Sequence, residues 1–301
     1  EVTDEGLKAL AGVHTIDLSN TIVTDEGIKY LAGVHEISLQ NCSSITNEGI
    51  KALAGVHTIN LGNTSVTDDG VIALAGVHTI HLNDTKVLDE GVEALAGVHS
   101  ISLLHTDVTD KGIEALGGVH TIHLYGLKVT NKGIKALAGV HTIHLHGLNV
   151  TGEGFKALAG LHTIHLHDCH NLGIEGIKAL KGVHEIKFSN GGIERTTRKD
   201  EILEYLCDVH TVGIESNRES FTDDGIKALT NVKHLHLVYS GFTNSGLKTL
   251  VNLEQLVLND CYKITGDCFK HLKSLKSITV LDCEKISEEA VKSMGIRYTY
   301  E

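Results

Sequence analysis

The heptapeptide Leu74-Ala75-Gly76-Val77-His78-Thr79-Ile80 recurs along the chain with little change. An apolar residue precedes the histidine of each copy, at intervals of 21 or 22 residues: Val13, Val34, Val56, Val77, Val98, Val119, Val140 and Leu161. A period of this length is typical of a stacked solenoid, in which each unit buries its apolar side against its neighbours and leaves one broad face free. Function is therefore expected on that face.

One repeat contains the signals of one short helix followed by one short strand. Thr24 is a good N-cap, and the two acidic residues after it interact favourably with the positive, N-terminal end of the helix dipole. Ile28 and Leu31 face the core together, and Gly33 ends the helix in the left-handed conformation. The alternation in Ile37-Ser38-Leu39 predicts a strand with one face inward. Stacked units predict a parallel sheet with helices outside it.

These residues also carry a resemblance to a known family. The frame Val34-x-x-Ile37-x-Leu39-x-x-Cys42 resembles the leucine-rich repeat signature, apolar-x-x-Leu-x-Leu-x-x-Asn/Cys. The continuation Ile45-Thr46-Asn47-Glu48-Gly49-Ile50 is similar to the cysteine-containing subfamily known from F-box receptors and from protist, bacterial and giant-virus proteins. The resemblance covers about thirteen units of 21–22 residues. It implies one α/β solenoid domain over residues 1–301, an arc or horseshoe with a parallel concave sheet and short convex helices.

The repeat becomes irregular near residues 189–221, where an insertion lengthens one unit. Insertions in repeat proteins tend to lie in loops on one face and often bind partners, and decay of a repeat by drift is the alternative. The strand predicted at Val209–Ile214 keeps the frame. Residues 295–300 are predicted to form a polar, aromatic strand that closes the core.

A glycine recurs early in the predicted helices, where it costs about 0.5–1 kcal/mol relative to alanine. Its regular return implies a steric need, such as close approach of neighbouring repeats. A phosphate-binding loop would need a Gly-x-Gly-x-x-Gly or Gly-Lys-Ser/Thr pattern, which is absent. The glycines are Gly6, Gly27, Gly49, Gly70, Gly91, Gly112, Gly133, Gly154, Gly176, Gly225 and Gly246.

Four of the six cysteines occupy one repeat position, which holds threonine or leucine in other units: Cys42, Cys169, Cys261 and Cys283. A position that accepts all three residue types is predicted to be a small buried site and not half of a disulfide. Cys42 and Cys169 lie many repeats apart, too far to bridge. Free thiols suit a reducing compartment, so an intracellular, cytoplasmic location is expected.

Charge and composition exclude several function classes. The formal net charge of -12 argues against nonspecific binding of nucleic acid, which needs Lys and Arg to neutralise phosphates. No apolar run reaches the roughly 18 residues that cross a bilayer, so no membrane contact is expected.

Cys169 and His170 are adjacent in the sequence, but the repeat frame predicts that Cys169 lies in the core and His170 on the surface. We therefore predict no catalytic residues, no cofactor and no enzyme.

Histidine is unusually frequent, with 21 residues, and the frame divides it into two groups. Ten follow the opening apolar residue directly, one per layer, and are predicted to stack on one another and to hydrogen-bond nearby backbone. This histidine ladder comprises His14, His35, His57, His78, His99, His120, His141, His162, His184 and His210. A structural role is predicted for the ladder, because a binding site rarely needs every layer alike.

The second group lies at strand positions that flank the inward leucine and therefore point out of the concave sheet. The partner-binding residues predicted there are His81, His123, Tyr125, His144, His146, His165, His167 and Lys187. Neighbouring strands lie roughly 4.8 Å apart, so His144, His146, His165 and His167 form a weak candidate for a zinc or nickel site. A pH-sensitive docking surface and a solvated face made by duplication are the alternatives. Asp168 is expected in the following turn, apart from the patch.

The sequence thus predicts a non-catalytic scaffold that binds another protein along the concave sheet, near residues 123–167. The family resemblance implies one alternative, the substrate-receptor part of a ubiquitin ligase, whose F-box would precede the repeats. Self-assembly as a structural subunit is a second alternative, because Glu1 in mid-repeat fits a longer parent chain or end-to-end stacking. A metal- or pH-responsive binder is a minor third.

Overall fold

Short helices and parallel strands alternate along the chain, as the repeat predicts. The computed structural model describes residues 2–158, 160–189, 199–215 and 221–301. They form two compact units: an N-terminal unit, Glu1–Val150 with Ala157–Ala159, and a C-terminal unit, Thr151–Lys156 with Gly160–Glu301. The extent of a single domain over residues 1–301 stays a prediction.

The N-terminal unit contains seven strands, each paired in parallel with the next. The strands are β1 (Thr15–Asp17), β2 (Glu36–Ser38), β3 (Thr58–Asn60), β4 (Thr79–His81), β5 (Ser100–Leu104), β6 (Thr121–Tyr125) and β7 (Thr142–His146). The helices are α1 (Asp4–Leu7), α2 (Asp25–Ile28), α3 (Asn47–Lys51), α4 (Asp68–Ile72), α5 (Asp89–Glu93), α6 (Asp110–Glu114) and α7 (Asn131–Ala136), and 3-10 turns at Lys8–Leu10 and Lys29–Leu31 extend the first two.

The described residues of the C-terminal unit repeat this plan with seven further parallel strands. They are β8 (Thr163–His167), β9 (Glu185–Ser189), β10 (Thr211–Glu215), β11 (His234–Val238), β12 (Gln255–Asn259), β13 (Ser277–Leu281) and β14 (Arg297–Tyr300). Its helices are α8 (Gly152–Phe155), α9 (Gly173–Ala179), α10 (Lys199–Glu204), α11 (Asp223–Ile226), α12 (Asn244–Leu247) and α13 (Glu288–Lys292), with a 3-10 turn at Phe269–His271.

Much of the predicted irregular segment near residues 189–221 lies outside the described residues, which omit 190–198 and 216–220. The strand after the insertion does keep the repeat frame. Val212 of β10 pairs in register with Ile186 of β9 and with Leu235 of β11. The last strand, β14, pairs with β13 where the sequence predicts a closing strand.

The core of each unit consists of identical apolar layers. In the repeat around β3, Val56, Ile59, Leu61 and Val66 are all at most 3% exposed. Burying one such aliphatic side chain contributes about 1.5–3 kcal/mol. The helices are too short to be stable alone, so this packing between repeats, and not helix propensity, maintains them.

A series of hydrogen bonds between polar side chains joins consecutive repeats at the starts of the helices. Asp25, the first residue of α2, accepts hydrogen bonds from the backbone N–H of Thr46 (2.8 Å) and from its hydroxyl (2.5 Å). Thr46 is the N-cap of α3, so one repeat holds the helix start of the next. The same contact recurs at Asp4–Thr24, Asn47–Thr67, Asp89–Thr109, Asp110–Thr130, Asp200–Thr222 and Asp223–Thr243.

The recurring glycine leaves space for the polar side chain of the preceding repeat that makes these hydrogen bonds. A Cβ on Gly49 would overlap Asp25 Oδ1 and lie 3.1 Å from Asp25 Cγ. Gly6, at the same position of the first helix, has only Thr3 Oγ1 near it, at 3.9 Å. The predicted steric need is therefore confirmed at most of these glycines, where its cause is the carboxylate or amide of the preceding repeat. At Gly176 an added Cβ would instead overlap Leu172 Cδ1.

The predictions for the cysteines and the helix ends are confirmed with one exception. Cys42, Cys169, Cys261 and Cys283 are buried free thiols, at most 4% exposed. Gly33 has φ of 85°, as predicted for a left-handed helix end. Gly118 occupies the same repeat position and carries the same prediction, but it has no positive φ. The sequence did not indicate a second left-handed position, just after each strand, which Asn, Asp, His or Tyr occupies in many repeats. Asn and Asp suit it because their short polar side chains bond the local backbone.

Candidate functional site

The strand residues that alternate with core residues form an open face on the sheet of each unit. Along β6, Ile122 and Leu124 are at most 1% exposed, whereas His123 and Tyr125 are half-buried. Strand register places His81, Ser102, His123 and His144 in one row and Leu104, Tyr125 and His146 in a second. The five sequence-predicted residues of the N-terminal unit therefore share one face.

Four of these side chains form a cluster of two stacked pairs, which we call the aromatic platform: His123, Tyr125, His144 and His146. The His123 and His144 rings stack with centroids 4.1 Å apart and planes 10° from parallel. The Tyr125 and His146 rings stack at 3.7 Å and 11°. Stacking already fixes these rotamers, so little side-chain entropy remains to be lost when a partner binds.

His105 lies at the rim of the platform, and the sequence frame did not single it out. It occupies the left-handed position after β5, with φ of 53°, and its ring packs edge-on against Tyr125 at 4.1 Å. The signal that identifies it is its register, one position beyond the outward Leu104. His105 thus supports the orientation of Tyr125.

His81 lies two strands from the platform, between Asn60 and Ser102 in the same row. Burial lowers the pKa of His81 below that of a free imidazole, so this ring is neutral near pH 7. It therefore offers a hydrogen-bonding nitrogen without charge.

The open face of the C-terminal unit carries a charged cluster, which we define as His165, Glu185, Lys187 and His236. Glu185 Oε1 lies 2.6 Å from Lys187 Nζ and 3.5 Å from His165 Nε2. Register places Lys187 beside Gly213, which lies beside His236. A Cβ on Gly213 would lie 2.6 Å from Lys187 Cγ, so the glycine leaves space for the lysine stem.

Burial and charge both act on the titratable groups of this cluster. Burial is the main cause that lowers the pKa of His165 and of His236, and the nearby Lys187 ammonium adds to it. Burial alone would raise the pKa of Glu185, but its hydrogen bond and charge pairing with Lys187 leave it lowered. At neutral pH the cluster therefore holds one ion pair and two neutral imidazoles.

The structure corrects the expectation that Asp168 stays apart from the predicted patch. Its Oδ2 lies 3.0 Å from His167 Nδ1, so a carboxylate does contact one of the predicted residues. Asp168 reaches back because it takes the left-handed conformation, φ 51°, directly after β8. The weak metal candidate draws His144 and His146 from one unit and His165 and His167 from the other, and it stays a prediction.

The histidine ladder stacks as predicted within each unit. Successive rings from His14 to His141 have centroids 4.4–4.5 Å apart, and the series His162, His184, His210 has the same spacing. The predicted hydrogen bond to nearby backbone stays a prediction. The Nδ1 of His78 faces the hydroxyl of Thr79 at 3.2 Å, and most other ladder rings repeat this contact.

Comparison with known proteins agrees with this geometry. Residues 228–251 match the family model described as Leucine Rich repeat. The alternation of short helices and parallel strands in both units is the fold of a leucine-rich repeat solenoid. No curated protein matches it in sequence. The resemblance to the cysteine-containing subfamily stays a prediction.

Several solved structures share the fold of this leucine-rich repeat protein. An internalin from Listeria monocytogenes is 14% identical, with a TM-score of 0.55 over 99% of this chain and 94% of the internalin. A chain of the yeast Rad7 and Elc1 complex is 15% identical, with 0.55 over 99% and 83%. A chain of the mouse RP105/MD-1 complex is 14% identical, with 0.60 over 96% and 57%. At these identities the likeness concerns the fold alone.

Membrane insertion gains no support from the helices. None of those in the described residues combines the length and the apolar character that crossing a bilayer requires. The longest is α9, with seven residues.

Proposed function

We propose that this leucine-rich repeat protein is a non-catalytic scaffold that binds another protein on the open faces of its sheets. The observation that carries the proposal is the aromatic platform, two pairs of stacked rings on the exposed side of β6 and β7. Two of the similar folds come from complexes between proteins, which supports a protein partner. The charge of -12 favours a protein over a nucleic acid or an anionic membrane.

The platform has the chemistry of the central part of an interface. Aromatic side chains supply large contact area with few rotatable bonds, and Tyr is enriched among residues that dominate binding energy. Because the rings stack across neighbouring strands, the half-buried His123 and Tyr125 turn their faces towards their stacking partners and their edges, with the nitrogens and the hydroxyl, towards the open side. A partner can therefore pack on the rings and hydrogen-bond to their nitrogens or hydroxyl.

A stable interface buries about 800 Å² on each partner, more than four side chains provide. The same row supplies further contacts through His81 and Asn60. In the C-terminal unit, the charged cluster and His167 offer a second contact region, where Lys187 and Glu185 present one charge of each sign. Such polar groups set orientation and specificity more than affinity.

The proposal is tested by capture of partners from the source cells with two variants of the purified chain. The platform variant carries alanine at His123, Tyr125, His144 and His146. The control carries alanine at His57, His78, His99 and His120, which lie on the ladder and not on the open face. A protein retained by wild type and control, lost by the platform variant, and cross-linked to β6 or β7 supports the proposal.

Three results would contradict it. Equal loss with both variants would show that the platform is not specific. Retention that nuclease treatment abolishes would identify nucleic acid as the partner. Cross-links confined to the helices would place binding on the other side of the molecule.

A further inference from the structure

The buried repeat position that holds cysteine, threonine or leucine differs in one place from the rest of the described residues. Cys261 and Cys283 occupy it in consecutive repeats, so that two thiols are neighbours. Cys42 occupies the same position between repeats that carry Thr21 and Thr64. Among the described residues, two cysteines are therefore paired at this position only once.

Cys283 lies directly against Cys261 in the repeat stack. The backbone N–H of Cys261 donates to Cys283 Sγ at 3.3 Å, and the two thiols interact electrostatically. On the other side, Ser240 Oγ lies 3.3 Å from Cys261 Sγ. The pair is thus aligned by the same stacking that builds the core.

The backbone spacing suits a covalent bond between these sulfurs. β12 and β13 pair in register up to Asn259 and Leu281, two residues before each cysteine. Parallel strands lie roughly 4.8 Å apart. A disulfide needs Cα atoms about 4.4–6.8 Å apart, so the repeat spacing lies inside the required range.

Hydrogen bonding prepares the pair for reaction. The hydrogen bond from Cys283 lowers the pKa of Cys261, with a further contribution from Ser240. The same bond and burial raise the pKa of Cys283. The pair therefore loses its first proton readily and retains the second in an S–H···S bond. By contrast, burial raises the pKa of Cys268 to about 12, which leaves that thiol unreactive.

An open depression of about 650 Å³ lies beside the pair. Its walls include Tyr239, Asp260, Tyr262 and Glu284, and Cys283 is part of its lining. Cys283 is 4% exposed, whereas Cys261 is fully buried behind it. A small neutral oxidant in the depression therefore lies next to Cys283, the less buried member of the pair.

We propose that Cys261 and Cys283 are a thiol oxidation site, at which a peroxide converts the pair into one intrachain disulfide. The site is separate from the open face proposed for partner binding. Its product links two neighbouring repeats of the C-terminal unit. A peroxide is the oxidant because it is small, uncharged and able to accept the two electrons that the pair releases.

The reaction balances with one peroxide and two thiols. In the singly deprotonated pair the proton rests mainly on Cys283, and it must move to Cys261 before the Cys283 thiolate can attack. The Cys283 thiolate then attacks the peroxide, an S–O bond forms, the O–O bond breaks and hydroxide leaves. Hydroxide takes a proton from solvent and becomes water. Cys261 sulfur then attacks the sulfenic sulfur, the S–S bond forms, the S–O bond breaks, and the departing hydroxide takes the Cys261 proton as a second water.

The test uses the full, reduced chain with Cys207→Ser, which removes the half-exposed thiol. The folded protein is treated with hydrogen peroxide, unfolded with a thiol-blocking reagent, digested and analysed by mass spectrometry. We expect a Cys261–Cys283 disulfide at least about tenfold above any other pairing, and its loss on later reduction. Oxidation of Met294, the one methionine of the chain, verifies the peroxide dose.

Two matched variants decide the interpretation. Cys283→Ser is expected to reduce disulfides of Cys261 to background, whereas Cys42→Ser, at the same repeat position, leaves the Cys261–Cys283 product unchanged. Serine fits this position because Ser240 already occupies it, and unchanged melting curves verify folding. The proposal fails if Met294 is oxidised while Cys261 and Cys283 both remain available to the blocking reagent. It also fails if Cys261 pairs only between chains.

Discussion

Replacing Gly49 by alanine tests whether the hydrogen bonds between Asp25 and Thr46 are the reason why glycine occupies this position of the helix. In an ordinary helix this change stabilises by about 0.5–1 kcal/mol, because alanine has the higher propensity. Here the new Cβ would overlap Asp25 Oδ1 and must displace that carboxylate. Asp25 would then lose its hydrogen bonds from the Thr46 N–H and hydroxyl. Gly6→Ala is the matched control, since its Cβ would meet only Thr3 Oγ1 at 3.9 Å.

The structure gives the expected magnitude. Each hydrogen bond to the carboxylate is worth about 1.5 kcal/mol at this exposed position, the low end for charged partners, so losing two costs about 3 kcal/mol. Subtracting the propensity gain leaves Gly49→Ala destabilised by about 2 kcal/mol, whereas Gly6→Ala is expected to gain about 0.5–1 kcal/mol. Asp25→Ala alone costs about 3 kcal/mol, and in that background Gly49→Ala is expected to gain about 0.5–1 kcal/mol, as at Gly6.

Urea unfolding followed by circular dichroism measures these free energies. The double-mutant cycle of Asp25 and Gly49 isolates the coupling between them, expected at about 3 kcal/mol, the value of the two hydrogen bonds that both changes remove. The reasoning is refuted if Gly49→Ala is as stable as wild type. It is equally refuted if the cost of Gly49→Ala is the same with and without Asp25, because the clash would then lie elsewhere.

Three further predictions concern the charged and histidine-bearing groups. Burial lowers the pKa of His81, His165 and His236, so below about pH 6.5 the unfolded chain binds protons that the folded chain does not. The melting temperature should therefore fall as the pH is lowered from about 7.5 to about 5. A melting temperature that stays constant over this range would contradict the prediction. Lys187→Ala removes a nearby positive charge, so the pKa of His165 and of His236 should rise in an NMR titration, and unchanged values would show that Lys187 does not act on them. Zinc calorimetry at neutral pH should show no saturable uptake if the open face only docks proteins, and a stoichiometric site would overturn that expectation.

The repeat period itself predicts which strand residues point inward and which residues of neighbouring repeats stack on one another. The inward position of Ile122 and the outward position of His123 follow from the two-residue period of a strand. The stack of ladder histidines follows from one such residue per layer at constant spacing. These features need only the knowledge that repeats stack in register.

The sequence did not predict the contacts that depend on how far a side chain reaches or on a residue in the left-handed conformation. The frame predicted a steric reason for Gly49 but not its cause, because Asp25 meets it from 24 residues earlier in the chain. It separated Asp168 from His167, whereas the left-handed conformation after β8 brings them to 3.0 Å. It also assigned Lys187 to the open face without its partner Glu185.

The 21-residue period by itself determined the fold, because an identical apolar set in each unit can be buried only by stacking unit on unit. It likewise determined which strand residues face outward. Only the tertiary structure decided how those residues combine. Tyr125 stacks on His146, and Cys261 meets Cys283, because parallel register places equal positions of neighbouring repeats side by side. Which neighbours then form a platform, an ion pair or a thiol pair depends on distances of a few ångströms, and the period alone does not contain them.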